Sequence, residues 1–73
     1  MARKEVKSEI TGSVWKIVKH VGDEVGDEES LMILESMKME IPVLAEASGK
    51  VAEVSVKEGD AIVEGQTLAV LEV

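Results

Sequence analysis

Residues 12–35 read GSVWKIVKHVGDEVGDEESLMILE and residues 49–72 read GKVAEVSVKEGDAIVEGQTLAVLE, so the second stretch repeats the first at an offset of 37 positions without a gap. Seven of the 24 aligned pairs are identical, and the matches are glycines, turn acids and apolar residues. These residue types define backbone shape and core. Because a solenoid needs three or more repeats, two copies predict two similar half-domains that are related by a pseudo-twofold axis and close on each other.

Each copy has the pattern of short β-strands. Residues 50–57 alternate between apolar and polar side chains near their end, and residues 31–34 and 68–71 are short apolar runs. The same offset maps residues 39–44 onto 2–7. We therefore predict an all-β fold, either a small sandwich or a flattened barrel, made of two four-stranded halves. The predicted strands lie near residues 2–8, 12–19, 24–27, 31–36, 39–44, 49–57, 61–64 and 68–73.

The two copies differ at one turn. Gly65 aligns with Glu28, and the first copy has its glycine two residues earlier, at Gly26. We therefore expect the turn at residues 26–29 to be built differently in the two halves. Its acidic residues 27–29 do not form an EF-hand loop, which needs ligands alternating over about a dozen residues and a closing glutamate. A solvated acidic turn without a metal is the preferred interpretation.

Composition limits the class of protein. A chain of 73 residues with 45% apolar content has room for one folded domain, here residues 1–73. Cysteine is absent, so neither a disulfide nor a thiolate ligand is available. The net charge of −7 repels nucleic acid and anionic lipid. The N-terminus lacks the apolar segment of a secretory signal, and no apolar run approaches the ~20 residues of a membrane span. We expect a cytoplasmic protein that binds neither nucleic acid nor a membrane.

The segment between the two copies, residues 35–42, reads ESMKMEIP and predicts a hairpin, since apolar strands flank it. If Met37 and Lys38 form a two-residue turn, Leu34 and Ile41 face each other across the strands. This inward apolar contact supports the strand register that such a turn imposes. The predicted cross-strand pairs are Ser36 with Met39, Glu35 with Glu40, and Leu34 with Ile41.

The tip of this hairpin is poorly chosen for stability. Tight two-residue turns favour Asn-Gly or Asp-Gly because both central residues need positive φ. With Met37 and Lys38 in these two positions, backbone strain destabilises the folded state by about 1–3 kcal/mol per residue. Facing glutamates and exposed methionines are also unfavourable. Several poor local choices at one point are typical of a functional site. The alternative left open is a longer loop, with the methionines in the core and Lys38 as an ordinary surface lysine.

The segment Glu35–Glu40, ESMKME, closely resembles the biotin-attachment motif of biotin carboxyl carrier domains, whose centre is Met-Lys-Met. The resemblance covers about residues 8–73, including the Gly-Asp turns of both halves, the Leu-x-x-Leu-Glu strands and Gly49. It implies a flattened eight-stranded barrel with Lys38 on a protruding hairpin, opposite the end where the termini meet. It also implies an amide bond between Lys38 Nζ and biotin. The chain looks most like the thumbless, freestanding members, or a carrier domain cut from a larger carboxylase.

Two alternatives remain beside the biotin carrier. Lipoyl domains share this fold but place Asp directly before the modified lysine, whereas this chain has Met37 there. Biotin is therefore favoured over lipoate, and a lipoyl carrier of a 2-oxoacid dehydrogenase or glycine cleavage system is the second interpretation. The third is an unmodified interaction scaffold. Catalysis by the chain itself is not expected, because no serine has the partners of a triad and the glycines form no phosphate loop.

The residues around Lys38 predict a substrate and carrier with no catalytic residues of its own. A free, exposed lysine side chain is almost wholly protonated at neutral pH, and only the neutral amine attacks an acyl group. Activation must therefore come from a biotin protein ligase. The recognition residues predicted for the ligase and carboxylase are Glu35, Ser36, Met37, Met39 and Glu40.

The resemblance also implies the partner enzymes. Biotin would carry CO₂ from a biotin carboxylase to a carboxyltransferase of an acyl-CoA or pyruvate carboxylase. Acetyl-CoA carboxylase, in fatty acid biosynthesis, is the expected example. The domain would act as a tether that raises the concentration of the carried group at both enzymes.

Overall fold

The computed structural model describes residues 2–73, and within them it contains eight β-strands and no helix. All strand pairs are antiparallel. The predicted all-β fold is confirmed, with strand ends that differ by a few residues. The strands are β1 (Arg3–Lys7), β2 (Gly12–Ile17), β3 (Glu24–Val25), β4 (Ser30–Ser36), β5 (Met39–Leu44), β6 (Gly49–Val54), β7 (Ala61–Ile62) and β8 (Thr67–Glu72).

The strands form two four-stranded sheets that enclose one core. Their orders are β1-β8-β6-β3 and β5-β4-β2-β7. Each sheet therefore takes two strands from the first half of the chain and two from the second. The sequence halves are interleaved rather than stacked, and neither half holds a complete sheet of its own.

Hydrogen bonds repeat across the pseudo-twofold axis. The N–H of Gly22 donates to the carbonyl of Val51 at 2.9 Å, and the N–H of Gly59 donates to the carbonyl of Val14 at 2.7 Å. Each bond runs from a turn of one half to a strand of the other. The halves are therefore joined by backbone contacts as well as by apolar packing, and the axis predicted from the repeat is present.

The Gly-Asp turns stop β2 and β6 earlier than the sequence pattern predicts. An Asp23 carboxylate oxygen accepts the N–H of His20 at 2.8 Å, and an Asp60 carboxylate oxygen accepts the N–H of Lys57 at 2.9 Å. Aspartate commonly closes turns in this way, because its short side chain reaches nearby backbone. After Ile17 the N–H groups of Val18 and Lys19 both donate to the carbonyl of Leu31, at 3.0 Å each, which ends the regular ladder. The local aspartate bonds take over from His20 in the first half and from Lys57 in the second.

The expectation that the turn at residues 26–29 differs from its repeat was wrong. Glu28 has a φ of 67°, close to the 88° of the aligned Gly65. A non-glycine residue rarely adopts this left-handed conformation unless its surroundings hold it there. The two turns therefore share one backbone shape although their sequences differ.

Matching hydrogen bonds hold both turns in that shape. The N–H of Gly26 donates to Glu29 Oε1 at 2.8 Å, and the N–H of Val63 donates to Gln66 Oε1 at 3.0 Å. The main chain of each turn is closed by a further bond of 3.1 Å between the same two positions. Glutamate and glutamine offer the same acceptor atom. The same set of hydrogen bonds therefore closes the turn with glutamate at position 28 and with glycine at position 65.

The core draws on both halves, and the conserved positions of the internal repeat supply most of it. Val14 and Val51, like Leu34 and Leu71, are repeat-related pairs that lie buried between the sheets. The repeat therefore encodes the core as well as the turns. The buried apolar residues are Val6, Val14, Val25, Leu31, Met32, Leu34, Ala45, Val51, Val56, Ile62, Leu68, Ala69 and Leu71.

Strand β5, which leads away from Lys38, lies at the edge of its sheet. Pro42 lies within this strand, opposite Ile33 of β4. Proline has no N–H to donate and is tolerated in edge strands. Proline at this edge also discourages another chain from pairing there. One side of the hairpin therefore stays free of neighbouring strands.

Across residues 2–73 we find no helix with the length and apolar character that a membrane crossing requires.

Candidate functional site

The segment between the repeats is a tight hairpin with the predicted register. Ser36 pairs with Met39 and Glu35 with Glu40, while Leu34 pairs with Ile41 on the core side. The two turn residues, Met37 and Lys38, have φ values of 51° and 66°. Two consecutive positive φ values are the mark of the type I′ turn, whose twist matches that of the strands.

Both methionines of the tip point into solvent. Met37 is 91% exposed and Met39 is 62% exposed. Met32, which lies on β4 five residues before Met37, is 1% exposed. The alternative of a longer loop with these methionines in the core is therefore wrong. The tip presents apolar side chains to water, which a folded domain does not need for its own stability.

Lys38 is exposed between these methionines. None of the ion pairs formed within residues 2–73 includes its ammonium group. The neighbouring carboxylates of Glu35 and Glu40 lie on facing strands and are also exposed. The site thus offers a primary amine at the tip of a tight hairpin, and that amine suits amide formation with a carboxyl group. This fits a covalently held cofactor such as biotin.

The base of the hairpin is anchored to the β1–β2 loop. Ser36 Oγ donates a hydrogen bond to the carbonyl of Thr11 at 3.0 Å, and Thr11 Oγ1 accepts the N–H of Glu64 at 3.2 Å. Gly12 lies so close to the hairpin that a Cβ atom there would overlap the carbonyl oxygen of Glu35. These contacts hold the base in place while the tip projects beyond it.

Thr11 and Gly12 were not predicted as part of the site. The sequence signal was present, because Gly12 and Gly49 are identical in the two repeats. Gly49 makes the equivalent approach to the carbonyl of Glu72, at the other end of the molecule. A glycine that recurs at a strand start indicates close backbone packing. The bond from Ser36 to Thr11 has no comparable signal in sequence.

The chain termini meet at the pseudo-twofold image of the hairpin. Ala2 and Val73 exchange two backbone hydrogen bonds, of 3.1 and 2.9 Å. The 37-residue offset maps them onto Met39 and Ser36, the pair that closes the hairpin. Strand β1 runs from the termini to the loop that anchors the hairpin. The hairpin and the termini therefore lie at opposite ends, as expected.

The acidic turn of the first half is exposed. Asp27, Glu28 and Glu29 all lie at the surface, and their turn is closed by its own backbone and side-chain bonds. Across residues 2–73 no group of three or more His, Cys, Asp or Glu side chains is arranged to hold a metal ion.

A comparison with protein families shows which family this chain belongs to. The family described as "Biotin-requiring enzyme", the biotin/lipoyl attachment family, matches residues 4–71. The chain belongs to this family. Its cofactor is covalently attached biotin, and the domain is a carrier that is not catalytic alone. It is a biotin carrier domain of biotin-dependent carboxylases.

Two of the relatives match this chain over nearly the whole length of both proteins. The chain is 49% identical over 67 residues to the "Biotinylated protein TB7.3 homolog" of Mycobacterium leprae, covering 92% of this chain and 94% of that protein. It is 46% identical over 63 residues to the "Biotin/lipoyl attachment protein" of Bacillus subtilis, covering 86% of each.

The fold recurs inside a much larger enzyme. The crystal structure of the Kluyveromyces lactis urea carboxylase superposes with a TM-score of 0.92 and 39% identity over 99% of this chain. The matched region is only 6% of that enzyme. The similarity therefore concerns the domain, and the activity of the whole enzyme does not follow from it.

Proposed function

We propose that Lys38 carries the biotin, and that residues 1–73 act as a single attachment domain of a cytoplasmic biotin-dependent carboxylase. The observation that carries this proposal is the position of Lys38. It is the second residue of a strained, exposed type I′ turn, and its ammonium group takes no part in the ion pairs of residues 2–73. A lysine is a poor choice for this conformation, so its chemistry is the better explanation for its presence.

Attachment requires a ligase, because an amine does not form an amide with a free carboxylate and needs an activated acyl donor. Lys38 Nζ would form an amide with the carboxyl carbon of biotin that a biotin protein ligase presents in activated form. The bond from that carbon to its leaving group breaks, and the ammonium protons pass to the ligase and solvent. The new amide has no charge, so the net charge of −7 becomes −8.

The chain's own residues place the lysine and keep it reachable. Strands β4 and β5 hold the turn, and the bond from Ser36 to Thr11 fixes its base. When bound, biotin supplies a ureido nitrogen that accepts and releases a carboxyl group. The tether raises the effective concentration of that group at a biotin carboxylase and at a carboxyltransferase, which are the proposed partners. Met37 and Met39, with Glu35, Ser36 and Glu40, are the proposed recognition residues.

The acceptor of the carboxyl group is proposed by class. An acyl-CoA or pyruvate, the substrate of the corresponding carboxylase, is the first choice, with acetyl-CoA carboxylase in fatty acid biosynthesis as the example. The likeness to a domain of urea carboxylase adds a small amide as a second class of acceptor. Carboxylation assays with the reconstituted partner enzymes distinguish the two.

The attachment proposal is tested by intact mass after incubation with a biotin protein ligase, ATP and biotin. We expect a gain of one biotin less one water. A protease that cleaves after glutamate places the gain in the peptide 36–40, which contains one lysine. The Lys38→Arg variant should stay folded and unmodified. Lys16→Arg, on the exposed side of β2, is the matched control and should be biotinylated like the unchanged protein. Biotinylation of the Lys38→Arg variant would refute the assignment.

The name of the Bacillus subtilis relative keeps lipoate as a second candidate cofactor. Incubation with a lipoate ligase tests it directly. Lipoylation of Lys38 without biotinylation would favour a lipoyl carrier. Neither modification in a folded sample would leave the unmodified scaffold as the better account.

A further inference from the structure

The three methionines of β4 and the hairpin differ sharply in their exposure. Met37 is 91% exposed and Met39 is 62% exposed, whereas Met32 is 1% exposed within the core. A thioether in water meets dissolved oxidants freely, while a buried one reacts only when the protein opens. The two exposed methionines flank Lys38, the proposed modification site, on both sides in sequence.

We propose that Met37 and Met39 form an oxidation-sensitive pair, and that their conversion to sulfoxides by peroxide blocks biotinylation of Lys38. This proposal rests on the proposed function. In each reaction the thioether sulfur gains one oxygen atom and loses two electrons. The peroxide is reduced and its remaining oxygen leaves as water. Methionine sulfoxide reductases reverse the change, so the modification is a switch rather than permanent damage.

Oxidation is expected to change recognition and leave the fold intact. Neither exposed methionine belongs to the buried core, so a sulfoxide at either position displaces no packed neighbour. Met37 lies in the turn, and Met39 pairs with Ser36 through its backbone. A sulfoxide replaces a flexible apolar surface by a polar, chiral one. A ligase surface that packs against the thioethers would therefore lose its contact while the hairpin keeps its shape.

The test uses the unmodified chain, because biotin contains a thioether of its own. After limited treatment with hydrogen peroxide, cleavage after glutamate separates residues 30–35, which contain Met32, from residues 36–40, which contain the exposed pair. We expect oxygen to be added to the second peptide and not to the first. Equal oxidation of both peptides in a folded sample would overturn the exposure argument.

The second measurement is the kcat/KM of the ligase for the oxidised chain. We expect a decrease of about tenfold or more, the factor that corresponds to ~1.4 kcal/mol of lost contact. Treatment with sulfoxide reductases of both epimer specificities should restore the rate. Circular dichroism and the midpoint of urea unfolding should stay unchanged, which excludes unfolding as the cause.

The Met37→Leu, Met39→Leu double variant is the matched control. Leucine keeps an apolar side chain that peroxide does not oxidise. Whatever its starting rate, the ratio of rates before and after peroxide should be close to one. An unchanged rate for the oxidised natural chain would refute this proposal while leaving Lys38 as the attachment site. No biotinylation of the untreated chain would instead refute the proposed function.

Discussion

Glu28 and Gly65 occupy the same place in the two halves and adopt nearly the same left-handed conformation, with φ values of 67° and 88°. The two turns are closed by equivalent side-chain acceptors, Glu29 Oε1 and Gln66 Oε1. One half therefore meets the conformational requirement with glycine. The other half holds a glutamate in a conformation that an L-residue disfavours.

Replacing Glu28 by glycine should stabilise the protein. The left-handed conformation costs a non-glycine residue about 1–2 kcal/mol, while glycine adds entropy to the unfolded chain. We expect the free energy of unfolding to rise by about 1 kcal/mol for Glu28→Gly, measured by urea denaturation. Gly65→Glu should lose a similar amount, because a Cβ atom at Gly65 meets nothing within 4 Å and only the backbone conformation changes. Equal stability of all three proteins would contradict this account.

Lys38→Gly should also increase stability while abolishing biotinylation. Glycine at the second position is the preferred choice for a type I′ turn, and we expect a gain of about 1–2 kcal/mol in the free energy of unfolding. Lys38→Arg keeps the strained conformation and should leave stability unchanged, although it too removes the amine. Comparing the thermal unfolding of the two variants separates the effect of backbone strain on stability from the effect of losing the amine. A less stable glycine variant would show that the lysine side chain supports the hairpin.

Gly12→Ala and Gly49→Ala form a matched pair at opposite ends of the molecule. A new Cβ atom would overlap the carbonyl of Glu35 in the first variant and that of Glu72 in the second. Each should lower the free energy of unfolding by about 1–3 kcal/mol, as overpacking does. Only Gly12→Ala disturbs the base of the hairpin. At a temperature where both are folded, it alone should lower the kcat/KM of the ligase. A similar loss in both variants would mean that global stability controls recognition.

The stability of the protein should depend on pH through Glu29. Its pKa lies below the ordinary value of 4.5, first because its carboxylate accepts the N–H of Gly26 and then because of Lys19, whose Nζ lies 3.1 Å away. A carboxyl with a lowered pKa in the folded state contributes stability that is fully present above 4.5. That contribution is lost as the pH falls through the folded pKa.

Glu29→Gln isolates this effect. Glutamine keeps the acceptor oxygen and reproduces the natural residue at position 66. We therefore expect the variant to retain the turn but to lose part of the fall in urea midpoint that acid causes below pH 4.5. The comparison is Glu46→Gln, because the Glu46 carboxylate is also exposed and pairs with a lysine, Lys4. A variant curve that parallels the natural one would remove Glu29 from the acid transition.

Local sequence patterns carried much of the prediction. The strands, the core pairs and the register of the hairpin follow from period-2 alternation, turn residues and a two-copy repeat. The register is predictable because a two-residue turn leaves only one pairing that puts Leu34 opposite Ile41. The Met-Lys-Met segment indicated the candidate site in a different way, because its residues are unsuited to the tight turn that the register requires.

The sequence by itself determined the repeat, the strands and the lysine at the tip, because these depend on contacts between residues close along the chain. Only the tertiary structure decided that each sheet mixes strands of both halves and that Glu28 copies the conformation of Gly65. It also decided that Ser36 is bonded to Thr11, 25 residues away. Such arrangements depend on which distant segments meet when the shared core closes, and alternation and turn chemistry carry no information about that choice.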